Sequence, residues 1–368
     1  MKRITKTKIS FIIIGLVLMS LITGFASGLI RIHAYSKTSD ESDLFIKELG
    51  SGYNIGNSLD ACDWSKMFTN TNGNSTETSW GTPAISEEFI KVLEEQGFGT
   101  IRVPVTYMNH IDKDGNIDAK WLDRVAEVVD MVIAHNMYCI IDIHHDTGND
   151  GWIRASRKSY SDDKNRVENL IHQIADRFKD YDNHLILEGF NEMVDEDCHW
   201  ENAPISSLVA MNKWNQLFVD TVRATGGGNS DRYLLVNTYA ATVNAKNIYF
   251  FDMPKDSAKD RIIVGVHNYA GPKNLKKSFS IINSLRKRGY PVIIGEYGNT
   301  ANADYDRADF VKSYIEQCKE YGCCPIWWDN GQDPEKKADT SFALYKRSSG
   351  EAYFQDILDA ITNKIAED

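Results

Sequence analysis

The chain has 368 residues, and 41 Lys and Arg stand against 52 Asp and Glu, a formal charge of −11. That balance excludes the basic footprint on which binding to nucleic acid or an anionic lipid surface depends. A neutral polymer suits it better, and 8 Trp and 17 Tyr supply flat faces of the kind that stack on sugar rings.

At roughly 150 residues per domain, the length fits two domains or one large α/β barrel. Lys2, Arg3, Lys6 and Lys8 precede a nearly unbroken apolar run, 9–25, and small residues follow at Gly24, Ala26, Ser27 and Gly28. This is the pattern of a secretory signal over residues 1–27, with an uncleaved N-terminal membrane anchor as the alternative. An exported, extracellular protein is expected. A polar tether follows over 28–45, and 46–368 reads as one domain without a linker or appended module. Short apolar runs recur at 53–56, 100–103, 138–143, 185–190, 233–236, 262–266, 292–295 and 324–328. Between them lie helical periodicities at 86–96, 119–135, 166–178, 206–224, 275–288, 307–321 and 353–365. The stretch 240–259 is only weakly helical. Gly97, Gly226, Gly289 and Gly322 stand where helix C-caps belong. Eight strands alternating with helices predict an α/β fold, a single (β/α)8 TIM barrel.

Six cysteines are scattered along the chain without a CxxC pair. Their spacing predicts no structural zinc, and Cys139 and Cys323 read as free buried thiols.

In such a barrel, chemistry gathers at the C-terminal ends of the strands. Here these ends carry Asn54-Ile55-Gly56-Asn57, Arg102, Asp142-Ile143-His144-His145-Asp146, Asn191-Glu192, Asn237, His267-Asn268-Tyr269, Glu296 and Trp327-Trp328-Asp329-Asn330. Glu192 and Glu296 each close an apolar run, where an ionised carboxylate is costly without a partner or a purpose. Two carboxyls about 5–5.5 Å apart cleave a glycosidic bond with retention. Arg102 beside one of them would keep it ionised, and a like charge would help the other hold its proton.

From Gly52 onward these motifs resemble glycoside hydrolase family 5, the cellulase family. They are Gly52-Tyr53-Asn54-Ile55-Gly56-Asn57-Ser58-Leu59-Asp60, Ile101-Arg102-Val103-Pro104-Val105, Asp142 to Asp146, Phe190-Asn191-Glu192, Val266-His267-Asn268-Tyr269, Gly295-Glu296-Tyr297-Gly298 and Trp328-Asp329-Asn330-Gly331. The resemblance implies Glu192 as general acid/base and Glu296 as nucleophile. It implies Asn191 on the sugar 2-hydroxyl, Arg102 and Tyr269 around the nucleophile, His144 and His267 orienting the site, and Trp328 as a stacking platform. Asn57 and His145 join the expected substrate-binding and supporting set. Tyr53 departs from the family, which usually has Trp there. The activity implied is that of an endo-β-1,4-glucanase with no cofactor, acting as a monomer on β-glucan. Xyloglucan, mixed-linkage glucan and mannan are alternative substrates, and Trp64, Trp80, Trp152 and Trp200 are candidate subsite aromatics. Two rivals remain. One is a metal-dependent barrel using His144, His145, His267 and Asp329, opposed by the expectation that adjacent strand residues face opposite ways. The other is a non-catalytic carbohydrate-binding barrel, opposed by the intact glutamate pair.

Overall fold

The computed structural model describes residues 36–70 and 75–363. The expected signal segment and the first part of the tether lie outside them. Eight parallel strands pair in chain order, and β1 (Gly52–Ile55) also pairs with β8 (Cys323–Asp329), which closes the barrel. The others are β2 (Thr100–Val103), β3 (Tyr138–Ile143), β4 (Leu185–Phe190), β5 (Leu234–Thr242), β6 (Ile262–His267) and β7 (Val292–Tyr297). All eight fall on the predicted runs.

The helices show where local periodicity is informative. Predicted helices at 86–96 and 119–135 appear as α2 (Glu87–Gln96) and α3 (Ala119–Ala134); those at 206–224, 275–288 and 307–321 appear as α5 (Ile205–Ala224), α7 (Leu275–Arg286) and α8 (Arg307–Tyr321). Ser86 caps α2 and Gly97 closes it in the left-handed conformation, as Gly322 closes α8. Helix α4 (Arg157–Phe178) begins well before the predicted 166, capped by Ser156. Its first turns are mostly polar and carry no apolar stripe, so periodicity is silent there. The stretch 240–259 yields only α6 (Ala245–Phe250), capped by Asn244. Near the C-terminus come α9 (Pro334–Lys337), the hairpin β9 (Tyr345–Lys346) and β10 (Glu351–Ala352), and α10 (Gln355–Thr362). No helix among the described residues is long and apolar enough to cross a membrane. The six thiols are unpaired, and Cys139 and Cys323 are buried.

The end of the expected tether requires correction, because residues 40–45 are helical. Helix α1 (Asp40–Glu48) is capped by Ser39 and carries acidic residues in its first turn. Phe45, Ile46 and Leu49 pack against Ile140, Ile186, Leu235, Ile263, Ile293 and Ile326 at the N-terminal end of the barrel. The Phe45 ring stacks on Tyr233 at 3.7 Å. Only Phe45, Ile46 and the C-cap Leu49 turn to the barrel while Leu44 is exposed, too few apolar residues for a period to stand out in the sequence.

Alternation along each strand sorts the barrel into layers. Ile140, Ile186, Leu235 and Ile263 point inward, while their chain neighbours Cys139, Leu185, Leu234 and Ile262 pack against the helices. Two residues further on, the inward positions become Asp142, Glu188, Asn237 and Gly265. The lower barrel is therefore apolar and the next layer polar. Truncating the plug should open the apolar layer to water. Phe45→Ala is expected to cost about 3 kcal/mol of stability, read by denaturant unfolding, with the activity of the folded fraction unchanged.

Candidate active site

The polar layer is built on Arg102, whose side chain is fully buried. From the end of β2 its guanidinium reaches five other groups. Nε and Nη2 donate to the two Glu188 oxygens at 2.7 and 3.0 Å. Nη2 also donates to Asp142 Oδ2 at 2.6 Å and Asn191 Oδ1 at 2.9 Å. Nη1 donates to Asn54 Oδ1 and Glu296 Oε1, both at 2.9 Å. Asn237 Nδ2 completes Glu188 at 2.7 Å. A Cβ on Gly265 would overlap Asn237 Oδ1, so glycine is what leaves room for this amide. Burial pushes Asp142 up to about 6, with Arg102 pulling the other way.

Above this layer sit the two glutamates. Glu296 Oε2 accepts from the Tyr269 hydroxyl at 2.8 Å. His267 Nδ1 lies 2.8 Å from Glu192 Oε1 and 3.5 Å from Glu296 Oε2. The nearest oxygens of Glu192 and Glu296 and this nitrogen all lie within 4.8 Å of one another. The Glu192 side chain is 26% exposed and Glu296 6%, so Glu192 is the one more open to the cleft. Burial raises Glu296 above the usual carboxylate range, and the Glu192 charge adds to this against His267, Arg102 and Tyr269. At Glu192 burial also works upward, but the His267 hydrogen bond and charge outweigh it and lower the group. His267 is in turn raised, because the two glutamates outweigh the effect of its burial. His267 and Glu192 therefore compete for a proton across their 2.8 Å contact. Burial together with the Glu296 and Glu192 charges keeps the Tyr269 proton on its oxygen, as a donor to Glu296.

His144 and His145 are not separated to opposite faces, as strand alternation had suggested. Strand β3 ends at Ile143, and the turn beyond it brings the two rings to 4.6 Å, edge to face. His144 Nδ1 binds Asp142 at 2.7 Å, and burial holds this ring neutral, well below its usual range. His145 lies 3.5 Å from Asp60. Burial works against its charge, but Asp60 outweighs this and raises it. Trp328 lies parallel to His144 at 5.8 Å. A Cβ on Gly56 would come within 2.6 Å of the Trp328 ring, so only glycine permits this seat. Arg347 fixes the end of β8 through Asp329 Oδ1 at 2.8 Å and the Gly56 carbonyl at 2.7 Å. Asn57 takes a left-handed φ of 56°, and its N–H donates to Asp60, so its backbone shapes this turn.

The four candidate subsite tryptophans part company. Trp64 and Trp80 stack at 5.6 Å beside His145, and Trp64 is 40% exposed. Trp152 instead donates to Asp146 at 2.7 Å and packs on Phe68, which makes it a loop anchor. Trp200, on the loop after β4, donates to Asn149 on the loop after β3 at 2.8 Å. Sequence reading overlooked Glu188 and Arg347. Alternation did contain a signal for Glu188, since it is an acidic residue at an inward position of an otherwise apolar strand. Among the described residues, two side-chain clusters have donor sets that suit a metal, Glu192 with His267 and Glu296, and Asp60 with His144 and His145. The first already receives the Arg102 cation, and in the second His144 Nδ1 is committed to Asp142 while Asp60 accepts from two backbone amides.

Residues 33–334 match the model of the cellulase family, glycosyl hydrolase family 5. Endoglucanase A of Paenibacillus barcinonensis is 31% identical, over 97% of this chain and 98% of its own length. Endoglucanase A of Clostridium longisporum is 33% identical over 86% of this chain, and the match spans 64% of that longer protein. A family 5 enzyme from Prevotella bryantii, solved with a xyloglucan tetradecasaccharide, superposes with a TM-score of 0.78 at 29% identity, covering 90% of this chain and 99% of that one. With the closed barrel and the paired glutamates just after β4 and on β7, these matches establish that the chain belongs to glycosyl hydrolase family 5, the cellulase family, and is a glycoside hydrolase.

Proposed function

We propose that the chain is a retaining endo-β-1,4-glucanase that cleaves internal bonds of β-glucan by double displacement. The observation that carries this is the approach of the Glu192 and Glu296 oxygens to within 4.8 Å. Retaining enzymes hold their carboxyls about 5–5.5 Å apart, whereas inverting enzymes leave about 6.5–9.5 Å for a water.

Glu296, held by Arg102 and Tyr269, attacks the anomeric carbon. As the bond to the leaving oxygen breaks, Glu192 gives that oxygen a proton. Glu192 then takes a proton from water, which attacks the same carbon and frees Glu296. In the empty site His267 lowers Glu192 across a 2.8 Å contact and so favours its charged form. A bound sugar covers the more exposed Glu192, and burial raises a carboxyl, so occupancy draws the proton onto the acid. Asn191, oriented by Arg102, presents its amide toward His144 and the sugar 2-hydroxyl. Trp328 carries the reacting ring, His144 and His145 line its flank, and Asn57 holds the turn beneath. Trp64 and Trp80 extend an aromatic wall on the same side. The basic and apolar N-terminal segment supports export, and the self-contained cleft supports action as a monomer.

Xyloglucan is the second reading, favoured by the bound ligand of the Prevotella relative. Reducing-sugar release from carboxymethylcellulose, barley β-glucan, xyloglucan and mannan ranks the substrates. The glucans should be cleaved fastest, with rates unaffected by a chelator. A mannan preference would overturn the substrate assignment, and chelator sensitivity would overturn the mechanism.

Glu296→Gln should lower kcat by on the order of 10³-fold or more while oligosaccharide binding, measured by calorimetry, persists. Glu192→Ala should lower polymer hydrolysis by roughly 10²–10⁴-fold. Glycosylation by a dinitrophenyl cellobioside, whose leaving group needs no proton, should largely survive, and added azide should yield the β-glycosyl azide.

A further inference from the structure

We propose that Glu188 is a positioning residue that takes up the charge of Arg102 and thereby sets the nucleophilicity of Glu296. The inference rests on the assignment of Glu296 as nucleophile. Glu188 sits inside the barrel with its side chain fully buried, one layer below the cleft. Both oxygens are consumed by Arg102 and Asn237, so it is not placed to hold sugar.

The geometry divides one guanidinium among three carboxylates. Glu188 receives the two-point, fork-on-fork contact, which is the strongest form of this pair. Asp142 receives a single Nη2 contact at 2.6 Å. Glu296 receives one Nη1 bond at 2.9 Å, and the same nitrogen also serves Asn54 at 2.9 Å. The nucleophile is thus the weaker partner of its own cation. An arginine facing Glu296 alone would hold it in a tight pair, readily ionised but poorly reactive. Sharing the cation leaves Glu296 ionised enough to attack and still basic enough to bond to carbon.

The charged and titratable groups around this network come from each neighbouring strand: Arg102 on β2, Asp142 and His144 at the end of β3, Glu192 after β4, His267 and Tyr269 at the end of β6, and Glu296 on β7. Asp60 after β1, Tyr107 and His145 also lie close enough to Asp142 to interact with its charge. Glu188→Gln keeps the shape but removes one negative charge. With that charge gone, Arg102 acts more fully on Glu296, whose carboxyl ionises at lower pH and attacks more slowly. Glu188→Asp keeps the charge on a shorter stem, so it perturbs packing without changing the electrostatics in kind.

The test is kcat and KM against pH on an aryl cellobioside for the wild type, Glu188→Gln and Glu188→Asp. Thermal unfolding and peptide mapping after trapping with a 2-deoxy-2-fluoro cellobiosyl fluoride accompany it. In Glu188→Gln, kcat should fall about ten- to hundredfold, the range typical of losing a buried partner of a reacting group, with KM nearly unchanged. The acid limb should move to lower pH by on the order of one unit. In Glu188→Asp the limb should stay at the wild-type position, whatever rate is lost. If Glu188→Gln does not fold, Asp142→Asn removes a charge from the same guanidinium and should move the limb in the same direction. An unmoved limb in a folded charge-removing variant would reduce Glu188 to a scaffold role while leaving Glu296 labelled as nucleophile. Labelling of a residue other than Glu296 in the wild type would overturn both the nucleophile assignment and this inference.

Discussion

A single buried guanidinium organises the upper half of this barrel. Arg102 binds side chains from β1, β3, β4 and β7 and from the turn after β4. Stripping water from an ion costs several kcal/mol even after relaxation, and only nearby charges and satisfied donors offset that. Asn54, Asp142, Glu188, Asn191 and Glu296 supply them here. Because they arrive from different strands, their mutual placement depends on barrel closure. Removing Arg102 would leave three buried carboxylates without their shared cation, whereas removing one carboxylate redistributes that cation over the other two.

This polar layer is costly, and the rest of the domain offsets the cost. Below it the barrel is filled by isoleucine and leucine, with Phe45 and Ile46 of α1 and its C-cap Leu49 closing the end. Around it an extensive apolar cluster binds strands to helices. Stability is concentrated at the bottom and around the outside, and chemistry at the top. Glycines mark where the two demands meet. Gly265 leaves room for Asn237 within the polar layer, and Gly56 leaves room for Trp328 at the cleft floor.

The two glutamates have the same side chain and different surroundings. Glu296 is nearly covered and receives Arg102 and Tyr269. Glu192 is more open and faces His267. Burial and the Glu192 charge raise Glu296 despite Arg102, and His267 lowers Glu192, so in the empty site the two are biased opposite to the expectation that the arginine keeps its own partner the more readily ionised. Stacked aromatic rings at Trp64 and Trp80 continue from His145.

Much of this was legible in the sequence. Eight apolar runs of strand length fixed the barrel, and residues at their ends named most of the cleft, because strand period and strand end are local properties. Glu192, Glu296, Arg102 and Trp328 were visible for that reason. What only the tertiary structure decided is who meets whom. The turn after Ile143 brought His144 and His145 together against the alternation rule, which applies only while a strand continues. Trp152 proved to be a loop anchor and Trp64 a cleft residue, though both are tryptophans in polar loops. Helix α1 proved to be a plug where a tether was expected, since three apolar residues reveal nothing until the hole they fill exists. Glu188 lies 86 residues from Arg102 and 108 from Glu296 in the chain. Local patterns carry no information across such a span, and only closure of the barrel makes these residues neighbours.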